Sequence, residues 1–236
     1  ADAAAYAEMV NDKNANKGVY AGAAPTNILM AGDIKYIDVN GDGVINTGAN
    51  TYDDPGDRKI IGNSKPRYNY SFRGDFNWMG IDMQLFFQGV GKLDWMPDAN
   101  CIYFWNTYSY HRPTFIPKDF EAKCWSSEEG ADNSNALYPR RRGRMSASSY
   151  LVTSDYWLQD ASYIRLKNLT IGYTLPLKTK ALEKVRVYFT GENLCYWSPM
   201  KKWTTVVDPE VATTSAYGDC LYPYAKTFSF GVDITF

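Results

Sequence analysis

Hydrophobic and polar residues alternate strictly along the last stretch of the chain. Phe230, Val232, Ile234 and Phe236 fall on one side, and Ser229, Gly231, Asp233 and Thr235 on the other. This is the period of two that a strand with one apolar face imposes. The same alternation sets Tyr68, Tyr70, Phe72, Phe76 and Trp78 against Asn69, Ser71, Arg73, Asp75 and Asn77. After a tight turn at Met79-Gly80 it continues with Ile81, Met83, Leu85 and Phe87 against Asp82, Gln84 and Gln88. The pair reads as a hairpin. A third strand is predicted over 162–175, with Ile164 and Leu166 on the apolar side, then Leu169, Ile171, Tyr173 and Leu175. The change of phase near Lys167-Asn168 predicts a β-bulge. A fourth strand runs from Val185 to Tyr196, with Val185, Val187 and Phe189 opposite Arg186, Tyr188, Thr190 and Glu192, and a fifth from Ala225 to Phe236.

In water, such strands would be an aggregation hazard, whereas in a transmembrane barrel one face meets lipid and the other a polar lumen. The expected fold class is therefore all-β: about five transmembrane strands from the C-terminal part of a large antiparallel outer-membrane β-barrel. The spacing of Phe230, Gly231, Ile234 and Phe236 matches a barrel-assembly signal. Connection lengths agree with this reading. The turns at 79–80 and 176–184 are short, while 91–161 and 197–224 are long, as expected of periplasmic turns and extracellular loops. Trp78 and Tyr196-Trp197 fall where aromatic girdles belong. Closing a barrel takes at least about eight strands. The five are thus expected to belong to a larger barrel, with 66–236 carrying strands and 1–65 an extracellular loop region. The N-terminal residues show neither a signal core nor a plug domain, so a processed or partial chain is expected.

Composition sharpens the picture in two respects. Aromatic residues reach 16%, and a net charge of −1 excludes the basic excess that a nucleic-acid partner demands. No apolar run is long enough for a membrane-spanning helix, which leaves strands as the way across.

A second motif lies upstream of the strands. Asp38, Asn40 and Asp42 take alternate places of a calcium loop, Gly43 the sharp-turn place, and Ile45 the anchoring place. Val44, through its carbonyl, and Asn46 complete the candidate ligands for Ca²⁺. The usual final acid is replaced by Ala49, and Asp53, Asp54 or Asp57 could supply it after an insertion. The alternative is an Asn/Gly-rich turn that holds no metal.

Together these segments resemble a known family. Gly32 through Gly43 is similar to the "GDIKY-D-NGDG" signature of SusC/RagA-type TonB-dependent transporters of Bacteroidota. Asp57 through Tyr68 resembles the family's "D-R-IIG--P-Y" stretch, and Tyr163 through Pro176 its "YIRLKN-T-GY-LP" strand. Gly191-Glu192-Asn193-Leu194 and Tyr224 to Phe236 resemble its last two strands. The resemblance implies the end of a barrel of about 22 strands. It implies that Asp57, next to Arg58, is the acid that closes the calcium-like loop. It also implies energised import of oligosaccharide or peptide, with a SusD-like surface lipoprotein as lid and TonB acting through an N-terminal region. The remaining barrel and plug segments and outer-membrane lipid are the other implied partners.

The remaining candidates lie in the long connections. Cys195–Cys220 and Cys101–Cys124 are expected to pair as disulfides, four free thiols being the alternative. Tyr103, Trp105, Tyr108, Tyr110, Trp125 and Trp203 are candidate substrate or lid contacts, or else pack against neighbouring loops. The basic run Arg140-Arg141-Arg142-Gly143-Arg144 suits phosphate or acidic groups, or a salt-bridged loop. His111 has no nucleophile motif beside it, and no enzyme is expected. The alternative function is a secreted calcium-binding β-sandwich that binds glycans.

Overall fold

The computed structural model describes residues 31–43, 45–98, 101–105, 120–141, 153–177, 182–205, 207–212 and 224–236. The chain divides into two compact units, Ala1–Ile61 with Pro97–Trp157, and Gly62–Met96 with Leu158–Phe236.

The second unit is built on a five-stranded sheet. Its strands are β1 (Tyr68–Trp78), β2 (Ile81–Gly91), β5 (Tyr163–Leu175), β6 (Lys184–Trp197) and β7 (Thr227–Thr235), ordered β1-β2-β5-β6-β7. Every neighbouring pair is antiparallel. These are the five strands the alternation predicts, with ends shifted by a residue or two. Two short strands, β3 (Asp94–Trp95) and β4 (Gln159–Asp160), form a separate pair that the pattern does not announce.

Register carries the alternation across the whole sheet. Phe76, Met83, Ile171, Phe189 and Phe230 stand opposite one another in one row, and Asp75, Gln84, Thr170, Thr190 and Ser229 in the next. Successive rows point to opposite faces, so one face is apolar and the other polar throughout. The β1–β2 connection is a two-residue turn in which Met79 (φ 49°) and Gly80 (φ 84°) both lie in the left-handed region. That is the type I′ geometry whose twist matches the flanking strands.

The predicted bulge is present. Phe86 pairs with Asn168 and Phe87 with Leu166, which leaves Lys167 as the extra residue. On the other side Leu166 pairs with Cys195 and Asn168 with Glu192, so Asn193 and Leu194 together face Lys167. Asn193 takes φ 52° to make this step. The extra residue keeps Leu166 and Leu169 on the same face; without it, the two halves of β5 would turn opposite sides to the apolar environment.

Two glycines in the sheet are required by what crosses them. A Cβ at Gly172 would lie 2.5 Å from Asp82 Oδ1 and 2.6 Å from Arg186 Nε. A Cβ at Gly231 would lie 2.3 Å from the Tyr188 ring. In both cases a large polar-face side chain lies flat over the neighbouring strand.

The first unit has a core of its own. Phe104 and Trp105, on the helical turn Ile102–Trp105, pack edge-on against Trp157, with Phe120 against Tyr138. All five side chains are buried. The 91–161 connection is therefore not only a loop of the sheet, as its sequence suggested; its described residues between Pro97 and Trp157 belong to this unit. Trp105, expected at a contact surface, is fully buried, and its indole N–H donates to the Asp98 carbonyl at 2.7 Å. The expected Cys101–Cys124 bridge is not formed, and both residues are thiols. The Cys101 carbonyl accepts the amides of Phe104 and Trp105, whereas Cys124 bridges to Tyr138 with its sulfur beside Arg141. The two sit on different elements, Cys101 before the helical turn and Cys124 on the bridge to Tyr138.

Gly172→Val is expected to force apart the Asp82–Arg186 pair and destabilise the intact protein by about 2 kcal/mol. A lowered denaturation midpoint with Gly172→Val, and a smaller drop with Gly172→Ala, is the expected result.

Candidate functional site

Three arrangements carry chemistry: an acidic loop in the first unit, and two ionic clusters on the polar face of the sheet in the second.

In the acidic loop, Asp38 accepts the amides of Gly41 (2.6 Å) and Gly43 (2.7 Å), one on each carboxylate oxygen. Asn40 Oδ1 accepts the Asp42 amide, and Asn40 Nδ2 donates to Asp42 at 3.0 Å. Gly41 and Gly43, both at positive φ, let the chain fold around these side chains. Asp57 closes the loop: its carboxylate accepts Val39 N–H at 2.7 Å and Asn46 N–H at 2.6 Å. Asp54 instead caps a separate turn by accepting the Ala49 amide, and Asn46 Oδ1 accepts Gly48 N–H. Val44 lies outside the described residues. The donor set is oxygen-rich, as a hard cation prefers. Among the described residues, however, no three acidic, His or Cys side chains converge to hold a metal ion. The loop is closed by carboxylate–amide bonds.

Beside this loop a cavity of about 580 Å³ is lined by Ile34, Tyr36, Ile45, Asp57, Lys59 and Tyr156, among others. Lys59 pairs with Asp155 at 3.3 Å. Burial pushes the Tyr156 phenol above its ordinary pKa, and its hydroxyl donates to the Leu137 carbonyl at 2.9 Å. Half of the basic run is committed to structure. Arg140 grips the buried Asp33 through Nε (2.6 Å) and Nη2 (3.2 Å), and Arg141 meets Glu121 at 2.7 Å. Arg142 and Arg144 lie outside the described residues.

On the polar face near the short turns, Arg186 holds Asp82 through Nε (2.9 Å) and Nη2 (2.6 Å), and Asp233 through Nη1 (3.2 Å). One guanidinium thus ties β2, β6 and β7 together across Gly172. Asp75 accepts from Arg73 (3.0 Å) and Gln84 (2.7 Å), and the Thr170 and Thr190 hydroxyls are 3.2 Å apart. At the other end of the strands, Arg165 is only 2% exposed and contacts Asp208, with Glu210 Oε2 3.0 Å from its Nε. Lys167 Nζ donates to Glu210 Oε1 at 2.7 Å.

Of the aromatic candidates, Trp125 packs its ring against the Cα of Gly32, and Trp203 is half-buried next to the turn Pro199–Lys202. Tyr108, Tyr110, His111, Cys220 and the Tyr103 side chain lie outside what the structure describes. Cys195, the expected partner of Cys220, is exposed on β6. Phe230, Ile234 and Phe236 are exposed on the apolar face, while Gly231 on the polar face is covered by Tyr188. The sequence reading passed over Asp208 and Glu210. Only their distance in sequence from Arg165 hid them, since Arg165 and Lys167 on one polar face already ask for acids.

No family model matches the chain. Among curated proteins it is 27% identical over 221 residues to one TonB-dependent receptor of Formosa agariphila, covering 88% of this chain and 20% of that protein. A second TonB-dependent receptor of the same organism is 29% identical over 241 residues, covering 93% of this chain and 21% of the other. Solved structures of the RagAB peptide importer in its open-open and closed-closed states each superpose with a TM-score of 0.50 at 20% identity. Each covers 75% of this chain and 18% of the other. The chain is a SusC/RagA-like barrel segment. It spans about a fifth of the length of the curated relatives it matches.

Removing the closing carboxylate with Asp57→Ala is expected to speed amide exchange at Val39 and Asn46 on the order of tenfold, by freeing two hydrogen-bonded amides. Asp54→Ala, which uncaps only the Ala49 turn, is expected to leave those two amides unchanged, a contrast that hydrogen-exchange measurement reads directly.

Proposed function

We propose that the chain supplies barrel wall and lumen lining to an outer-membrane importer driven through TonB, with a SusD-like lipoprotein as its lid. The observation that carries this reading is the two-faced sheet. Phe72, Phe76, Trp78, Ile171, Val187, Phe228, Phe230, Val232 and Ile234 all stand exposed on one face. Each is already partly covered by its neighbours, so leaving the rest in water would forgo on the order of 10 kcal/mol of burial free energy. That is comparable to the net stability of an ordinary domain, roughly 5–15 kcal/mol. Hydrocarbon is the environment that makes such a face favourable, and the opposite face carries satisfied charges suited to a wet lumen. A soluble β-sandwich would need a second sheet over this face, and none covers it among the described residues.

The likeness to a peptide importer favours peptide over oligosaccharide as cargo, and no catalytic role is proposed. The test uses the full-length receptor in outer membranes. A heat-modifiable band much heavier than 26.7 kDa, together with energy-dependent uptake of labelled peptides that is lost on deleting the receptor, is the expected outcome. A detergent-independent soluble species would sink the reading.

Ca²⁺ in the acidic loop is a separate proposal, supported by the spacing of Asp38, Asn40 and Asp42 and by closure through Asp57. Chelation is then expected to accelerate exchange at the Val39 and Asn46 amides. Unchanged exchange in chelator would leave the loop a purely hydrogen-bonded turn.

A further inference from the structure

We propose that the segment after β6, residues 198–212, is a built-in occupant of a carboxylate-binding cradle on the lumen wall, and that an acidic peptide is the ligand it stands in for. The proposal rests on the import reading above and gives the wall its ligand chemistry.

The cradle belongs to the strands. The Arg165 guanidinium lies over two aromatic rings, 4.7 Å from the centre of Tyr196 and 5.4 Å from that of Tyr224. Two residues along β5, Lys167 Nζ lies 4.4 Å from the centre of the Tyr224 ring. A planar fork and a point charge, side by side against aromatic faces, make a site for a carboxylate. Carboxylates fill it. Glu210 places one oxygen 3.0 Å from Arg165 Nε and the other 2.7 Å from Lys167 Nζ, while Asp208 meets Arg165 Nη2. Both acids come from the strap rather than the wall. The bulge contributes directly, because Lys167 is the extra residue it inserts.

Two physical arguments make the occupant exchangeable. First, desolvation offsets most of the Coulomb gain of a buried ion pair, so these pairs select their partner more than they hold it. A carboxylate brought by a ligand meets the same fork and the same ammonium, and the exchange keeps the cradle's charge balance. Second, the strap's backbone closes turns within itself. Lys201 N–H donates to the Ser198 carbonyl, Trp203 to Met200, and Val211 and Ala212 to Asp208. The sheet's ladder between β6 and β7 runs from Lys184–Thr235 to Glu192–Thr227, short of the strap. Lifting the strap therefore leaves that ladder intact. Buried Met200, Val207, Val211 and Ala212 provide the apolar contact that seats it in the absence of ligand.

The test is equilibrium binding of fluorescein-labelled triglutamate, trialanine and trilysine to the full-length receptor in mild detergent. Wild type is compared with the Asp208→Asn/Glu210→Gln double variant, and heat-modifiable mobility confirms a folded barrel. Removing the internal carboxylates is expected to tighten triglutamate binding on the order of tenfold, with no gain for the other two peptides. An unchanged triglutamate affinity, or an equal gain for all three, overturns the proposal. Should the double variant fail to fold, Lys167→Met in the wild-type strap background decides: triglutamate binding is expected to weaken at least about threefold, and no change overturns the idea. Binding is read without transport. Failed uptake of every peptide would defeat the import reading alone, and an unmoved triglutamate affinity would defeat the cradle alone.

Discussion

Inside hydrocarbon a backbone amide has only another backbone group to bond, and everything in the sheet follows from that constraint. Each strand must pair along its length, and each must keep its side-chain alternation in phase with its neighbours while doing so. The five strands meet both conditions, with apolar rows running unbroken from β1 to β7. The cross-strand register is therefore the controlling feature. A slip of one residue in β2 or β6 would turn Asp82 or Arg186 to the apolar face, where a basic side chain costs up to about 1 kcal/mol near a membrane interface and about 2–4 kcal/mol at mid-membrane. The bulge at Lys167 is where the sequence itself slips, and the wall absorbs the slip locally by letting two residues of β6 face one of β5. The outer edges of β1 and β7 are the places where a closed barrel continues the same ladder.

The polar face obeys a second rule. Its charges are numerous, yet in the described residues they are largely spent on one another. Arg186 serves two aspartates, Asp75 serves Arg73 and Gln84, and Arg165 and Lys167 serve the strap. Such pairs differ in worth. Arg73–Asp75 is exposed and contributes little, whereas Arg165–Asp208 is dry on both sides, and removing either partner would leave a buried charge at about 3–5 kcal/mol. The face thus offers a strand-tying network near the short turns and a buried, ligand-like cluster near the long connections.

The sheet was legible in the sequence because its cause is local and repetitive. Alternation fixed the strands, the phase break located the bulge, and Met79-Gly80 marked the turn. The spacing of the acidic loop was legible for a similar reason, whereas Asp57 as its closing acid followed from the family resemblance and not from the spacing. Reading failed where the partner is distant in sequence. Trp105 looks like an exposed aromatic in a long loop, and nothing near it announces Trp157 as its neighbour. Cys101 and Cys124 look like a staple, but their spacing does not reveal that one sits at the start of a helical turn and the other on a bridge to Tyr138. Asp208 and Glu210 carry no motif, and only the fold brings them to Arg165.

The aromatic excess shows why composition could not separate these cases. It is a sum of three demands with different physics. Phe72, Phe76, Trp78 and Phe230 face outward, where rings are favoured by lipid and by the strand's preference for bulky side chains. Phe104, Trp105, Phe120, Tyr138 and Trp157 are packed edge to face or tilted against one another in a dry core, where ring geometry adds to burial. Tyr188, Tyr196 and Tyr224 lie against cations, and Tyr188 also roofs the bare backbone of Gly231. The first set is found by period, the second by enclosure and the third by charge. Only the first of these signals is written along a single strand, and it is the one from which the barrel wall could be read.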